Sequence, residues 1–195
     1  MKLYVTAAVA ALIAILGGVW AWTALAPRPD CGGGAVAGDI GGPFTLVSDQ
    51  GETVTDADVI TGPTLVYFGY TYCPDVCPLD ASRNALATDL MAERGIDVRP
   101  VFITVDPNRD TPEVLDAYTA NQHPDMLGLT GSQDQVDQAV AAYRVYANVN
   151  DDGTDQYLVD HTAFTYLMSP EGFVDVFRHE ATADEIVERT ACYFG

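Results

Sequence analysis

Lysine is almost missing from this chain. Among its 195 residues Lys2 is the only one, and 28 acidic side chains face 9 basic ones, for a net charge of −19. A nucleic-acid binder needs a basic footprint, so the composition excludes polyanion binding as the main activity. An acidic field suits cations or a basic protein partner, and it also keeps a domain soluble, so charge alone names no partner. Internal repeats and low-complexity tracts are absent from Ile40 onward. That leaves a stretch of single-domain size, long enough to bury a good core.

Charge is also missing from Leu3 to Ala26. A helix needs about 20 apolar residues to cross a bilayer, so residues 1–27 are expected to form one transmembrane anchor. A cleavable signal peptide is the alternative, because Ala24-Leu25-Ala26 resembles a processing site. The length of the run and Pro27 after the cut favour retention. Lys2 and the amino terminus supply a positive cytoplasmic flank, which puts the rest of the chain on the periplasmic side of the inner membrane. Arg28 opposes that orientation and Asp30 partly offsets it. Residues 28–39, rich in proline and glycine, read as a linker, and residues 40–195 as the domain.

Within that domain, Thr64–Tyr70 (TLVYFGY) is a short apolar run of β-formers, expected as a buried strand. The following stretch carries Leu79, Leu86, Leu90 and Met91 near helical spacing and stops at Gly95. Val98–Val105 is a second buried strand, completing a β-α-β unit with a right-handed crossover. Thr111 and Pro112 open a helix, LGLTG offers an extended segment, and Ser132 with Gln135 forms a capping box for another helix. His161–Met168, the turn SPEG and Phe173–Phe177 read as an antiparallel hairpin, and a last helix begins at Thr182 with Glu185 completing its capping box. A further hairpin around Gln50-Gly51 precedes all of this. The order is that of an α/β thioredoxin-like fold with an added N-terminal β-hairpin, preceded by one transmembrane helix. Fold alone gives no function.

Cysteine is scarce too, with four in the chain, and two of them sit one helical turn apart at Cys73 and Cys77. Cys73 follows the first core strand and Cys77 begins the next helix, at the carboxyl edge of the parallel strands where functional groups gather. His161 opens an antiparallel strand that starts at the same edge. Two thiolates and an imidazole suit copper, and also zinc, and three ligands leave a position open for ion release. A plain disulfide between Cys73 and Cys77 is the competing reading in an oxidising compartment, and the pair can cycle through it. The nearby charges, Asp75 and Asp80, disfavour a bare thiolate and so favour a bound cation.

The blocks GGPFTL (Gly41–Leu46), YFGYTYCPDVCP (Tyr67–Pro78), FITVDPNRDTP (Phe102–Pro112), LTG (Leu129–Gly131) and VDHTAFTYLMSPEG (Val159–Gly172) span most of the domain. In them the chain resembles the Sco/SenC proteins, membrane-anchored thioredoxin-like copper chaperones of cytochrome c oxidase assembly. The resemblance implies copper, as Cu(I) or Cu(II), on Cys73, Cys77 and His161. It implies delivery to, or thiol reduction of, the dinuclear copper centre of oxidase subunit II or another copper-accepting protein. His123 and His179 match no ligand of the family and are expected at the surface. Asp160 is read either as an acceptor orienting His161 or as a solvated carboxylate. Asp106 with Pro107 is expected to shape the loop after the second strand.

Two other classes share the fold. A thiol–disulfide oxidoreductase would use Cys73 and Cys77 as its redox pair, but the spacer here is Pro74-Asp75-Val76 rather than two residues, and no proline stands in LVDHT. A thiol peroxidase lacks its threonine, since Thr71 is followed by Tyr72-Cys73. The remaining cysteines, Cys31 and Cys192, either bridge the linker to the last helix or stand as separate thiols.

Overall fold

The computed structural model describes residues 17, 31, 39–150, 153–154 and 156–195. Among these no helix is long and apolar enough to cross a membrane. The expected anchor and most of the expected linker lie outside the described residues.

Strands β1 (Thr45–Ser48) and β2 (Thr53–Thr55) form the leading hairpin, with Gly51 in the left-handed region at φ +80°. A short helix α1 (Asp56–Val59) follows, which sequence reading missed. Then β3 (Thr64–Gly69), α2 (Val76–Glu93) and β4 (Arg99–Thr104) make the β-α-β unit, with Thr64 opposite Arg99 in parallel register. All six residues of β3 are buried, as a strand covered on both faces requires. Helix α2 ends as its sequence foretold: Gly95 takes φ +78° and the Ile96 N–H returns to the Met91 carbonyl at 3.0 Å.

Thr111 caps α3 (Pro112–Gln122) with proline at its start, and β5 (Leu127–Thr130) lies parallel to β4. The Ser132–Gln135 capping box opens α4 (Gln133–Ala142). Next come β6 (Ala147–Asn150) and β7 (Leu158–His161), then the hairpin β8 (Phe164–Ser169) and β9 (Gly172–Arg178), and finally α5 (Ala183–Phe194). The main sheet has the order β2-β1-β5-β4-β3-β8-β9, while β6 and β7 form a sheet of their own. Leu65, Met91, Leu167, Phe177, Ile186 and Val187 fill the interior beneath α2 and α5.

Four local expectations are corrected. His161 does not open the strand ending at Met168. It closes β7, whose ladder runs to β6, and at the next residue the Thr162 N–H donates to the Tyr146 carbonyl at 2.9 Å. The buried face of α2 carries Cys77, Ala81, Asn84, Ala85, Thr88 and Met91, whereas Leu79 and Leu86 are exposed. Small residues let this helix lie close to the sheet. At α5 the Thr182 hydroxyl accepts from the Glu185 N–H, but the Glu185 carboxylate turns to Arg189 at 3.2 Å, so the capping box is half made. His123 is buried rather than at the surface: its Nδ1 accepts the Asp125 N–H at 3.1 Å, and its Nε2 faces Asp89. His179 is exposed as expected. Cys31 and Cys192 are joined by a disulfide, with Cα atoms 5.6 Å apart.

Candidate metal centre

The chain leaves β3 at Gly69, where only a glycine fits. A Cβ there would lie 2.8 Å from the Tyr67 ring, 3.0 Å from Phe102 and 3.1 Å from the Cys77 sulfur. The loop that follows is held by Asp110, which is completely buried. Its carboxylate accepts the Thr71 N–H at 3.0 Å, the Thr71 hydroxyl at 2.6 Å and the Thr104 hydroxyl at 2.6 Å. Burial raises the Asp110 pKa, and these bonds work against that rise. The loop carrying Cys73 is thereby pinned to the loop after β4.

Cys73 is half-buried and Cys77 fully buried, and neither is in a disulfide. The Cys77 N–H, in the first turn of α2, donates to the Cys73 sulfur at 3.3 Å. His161 arrives from β7 and sets its Nε2 3.2 Å from the Cys77 sulfur. Its Nδ1 lies 3.2 Å from the Thr162 carbonyl, which only accepts, so the proton belongs on Nδ1 and the Nε2 lone pair faces the sulfurs. The rings of Tyr67 and Tyr70 meet the imidazole edge-on, with centroids at 6.3 and 5.8 Å. Sγ of Cys73, Sγ of Cys77 and a ring nitrogen of His161 all lie within 4.8 Å of one another. Donors bound at ~2.0–2.3 Å to one ion sit roughly 3.5 Å apart, so a small contraction lets all three reach a common cation.

The electrostatics reverse one expectation. The Cys73 thiol is pulled down to about 4, first by the hydrogen bond from the Cys77 thiol and then by the backbone N–H groups of Asp75 and Cys77, against the effect of burial. The Cys77 thiol moves up, because it donates to Cys73 and is buried. The two titrate as a coupled pair, one thiolate sharing one proton. Asp80 does not prevent this, since it is paired with Arg83 at 2.9 Å. Asp75 is exposed to solvent. The site therefore offers a ready thiolate as well as a ligand set.

Asp160 is exposed, and His161 is oriented by the Thr162 carbonyl instead. Asp106 shapes its loop, ion-pairing with Arg109 and accepting the Tyr157 hydroxyl at 2.8 Å. Sequence reading missed Asp110, Arg109 and Tyr157. The first two stand in FITVDPNRDTP, where charged groups directly after a buried strand signal a loop held by side chains.

The sequence profile of SCO1/SenC matches residues 33–195. The chain belongs to the SCO1/SenC family. The SenC protein of Rhodobacter capsulatus is 50% identical over 194 residues, covering 96% of this chain and 88% of its own. The copper-bound crystal structure of Arabidopsis thaliana ScoI superposes with a TM-score of 0.75 at 40% identity, over 79% of this chain and 96% of that one. BsSco, in which a disulfide switch was identified and which belongs to the Sco family of cytochrome c oxidase assembly proteins, superposes at 0.64 with 25% identity, over 82% and 96%. The thioredoxin-like Sco fold is thus shared along the domain of this SCO1/SenC member, with the Cys73–Cys77–His161 group at its strand ends.

Proposed function

We propose that this protein is a copper chaperone that holds its cargo on Cys73, Cys77 and His161 and passes it to the dinuclear copper centre of cytochrome c oxidase subunit II. Residues 1–27 anchor it in the inner membrane, 28–39 form the linker, and 40–195 work on the periplasmic side. The observation that carries the reading is the grouping of two sulfurs and one imidazole nitrogen within 4.8 Å. Support comes from copper bound to Arabidopsis ScoI and from the oxidase-assembly role of the family to which BsSco belongs. Copper replaces the proton shared by the two sulfurs, so loading releases that proton. The test is transfer. Copper-loaded chain is mixed with the reduced, metal-free soluble domain of subunit II, and the copper should move to that domain. Copper that stays on the loaded chain overturns delivery.

One observation favours a second reading, thiol reduction of the same partner: the two free cysteines are adjacent, with half-buried Cys73 accepting the Cys77 N–H at 3.3 Å, a setting that lowers its pKa. In that chemistry Cys73 attacks one sulfur of a partner disulfide and expels the other as thiolate. Cys77 then gives up its proton and attacks Cys73, releasing the second partner thiol and leaving a Cys73–Cys77 disulfide. Two electrons pass to the partner. Loss of two thiols from this chain for each disulfide reduced, without copper, is the result that selects it.

A further inference from the structure

His161 is the ligand with the weakest claim on the main sheet. Cys73 and Cys77 are built on the end of β3 and the start of α2, but His161 comes from the β6–β7 ribbon, which shares no ladder with the seven strands. Something must hold that ribbon in place. Just before β7, the Tyr157 hydroxyl donates to Asp106 Oδ1 at 2.8 Å, and Asp106 is 1% exposed. The other Asp106 oxygen pairs with Arg109. The Arg109 guanidinium lies 3.6 Å over the Tyr157 ring, and 4.8 and 5.7 Å from the rings of Tyr72 and Tyr70. Tyr70 in turn accepts the Val159 N–H at 3.3 Å and meets the His161 ring edge-on.

These contacts close a circuit. Tyr157 is clasped between a buried carboxylate and a guanidinium that both belong to the loop after β4. Arg109 also lies against Tyr72, the neighbour of Cys73. A buried ion pair is a stiff, orientation-specific anchor, and cation–π contact adds to it. We propose that Tyr157, Arg109 and Asp106 form a latch that positions His161 over the cysteine pair, so that removing the latch frees the third ligand while leaving the two sulfurs in place. This rests on the reading of Cys73, Cys77 and His161 as the copper site. All three are positioning residues, since none of their side chains belongs to the ligand cluster.

The test uses the reduced full chain and the variants Tyr157→Phe, which loses the hydroxyl and keeps the ring, Tyr157→Leu, which loses both, and Arg109→Lys, which keeps the charge and loses the planar stack. Thr182→Ala, a cap substitution on α5, serves as a control for general destabilisation. Amide exchange at residues 158–161 of the metal-free protein should quicken in the order Leu above Phe, with exchange in β3 and α2 unchanged. Copper(II) affinity should fall roughly 10–100-fold, as for other groups that orient metal ligands, with a weakened nitrogen signature in the electron paramagnetic resonance spectrum. Copper(I) binding should move little. If exchange at 158–161 and the copper(II) signature match wild type in both Tyr157 variants, or if Thr182→Ala reproduces their changes, the latch is wrong. A wild-type chain that takes up no copper overturns the copper-site reading instead, and the latch is then judged on exchange alone.

Discussion

The sulfur of Cys77 and Nε2 of His161 stand 3.2 Å apart, although 84 residues of chain separate them. The cysteine pair is a local feature of one helical turn, while the histidine is delivered by the fold. The first prediction separates their contributions. Ser in place of Cys73 or Cys77 exchanges a soft thiolate for a hard, protonated oxygen and should cost most of the copper affinity. His161→Ala should keep copper(I) on two sulfurs but lose copper(II) and its charge-transfer absorption. Copper stoichiometry and absorption of the reduced proteins decide the matter. Wild-type copper(II) binding by His161→Ala would contradict the three-ligand site.

A second prediction concerns pH. Cys73 is depressed to about 4, so it is a thiolate at any pH well above that value. Alkylation of Cys73 in the reduced, metal-free protein should be level from about pH 6 to 8, where an ordinary thiol with a pKa of about 8.5 still climbs steeply. The linkage has a definite sign. A lowered acid pKa contributes stability that is present above the unfolded value and lost as pH falls through the folded one. The reduced form should therefore gain stability relative to the disulfide form as pH rises from 4 toward 8. Peptide mapping after timed iodoacetamide treatment measures the first effect, and denaturant melts measure the second. An alkylation rate still rising tenfold per pH unit near pH 7 would count against the thiolate.

The Cys31–Cys192 disulfide closes most of the chain into one loop. Replacing both cysteines with serine should cost about 2–4 kcal/mol, mostly through a freer unfolded state. Melting temperature should drop by roughly 5–15 °C. Copper uptake should be untouched, since neither residue belongs to the ligand cluster. A scan showing no shift would mean the bridge adds no stability.

Asp110→Ala removes the acceptor of three hydrogen bonds and leaves the Thr71 and Thr104 donors without it. The cost should be about 3 kcal/mol, read from the denaturant midpoint. Asp110→Asn keeps one acceptor oxygen and should lose less. Equal losses in the two variants would rule out hydrogen bonding as the cause.

How much of this could be read from the chain depends on the range of the forces involved. The β3–α2–β4 unit and the start of α3 were legible because the apolar runs, Gly95, the Thr111 cap and Pro112 are local signals. The cysteine pair, too, announces its own spacing. The β6–β7 ribbon was not legible: Asn148, Asn150 and Asp160 are poor strand formers, and the ribbon is exposed along much of its length. Its absence from the sequence reading is why His161 was assigned to the wrong strand, although to the correct edge. The Cys73 thiolate is not legible because Asp75 and Asp80 stand out in the sequence, whereas the Cys77 hydrogen bonds that favour the thiolate exist only once the first turn of α2 has formed. His123 looked like a surface residue until the Asp125 N–H, available only in the folded turn, gave its ring nitrogen a partner.

The disulfide that joins Cys31 to Cys192 has a topological consequence. Every ligand of the proposed copper site lies inside the covalent ring it closes. A single peptide cut between Cys77 and His161, by a protease in a surface loop, opens the ring without releasing either piece. The Cys73–Cys77 half and the His161 half then remain neighbours at an effective concentration on the order of millimolar, enough for their reassociation to be independent of dilution. In a compartment rich in proteases, the nicked chain stays one molecule for as long as that bridge is oxidised.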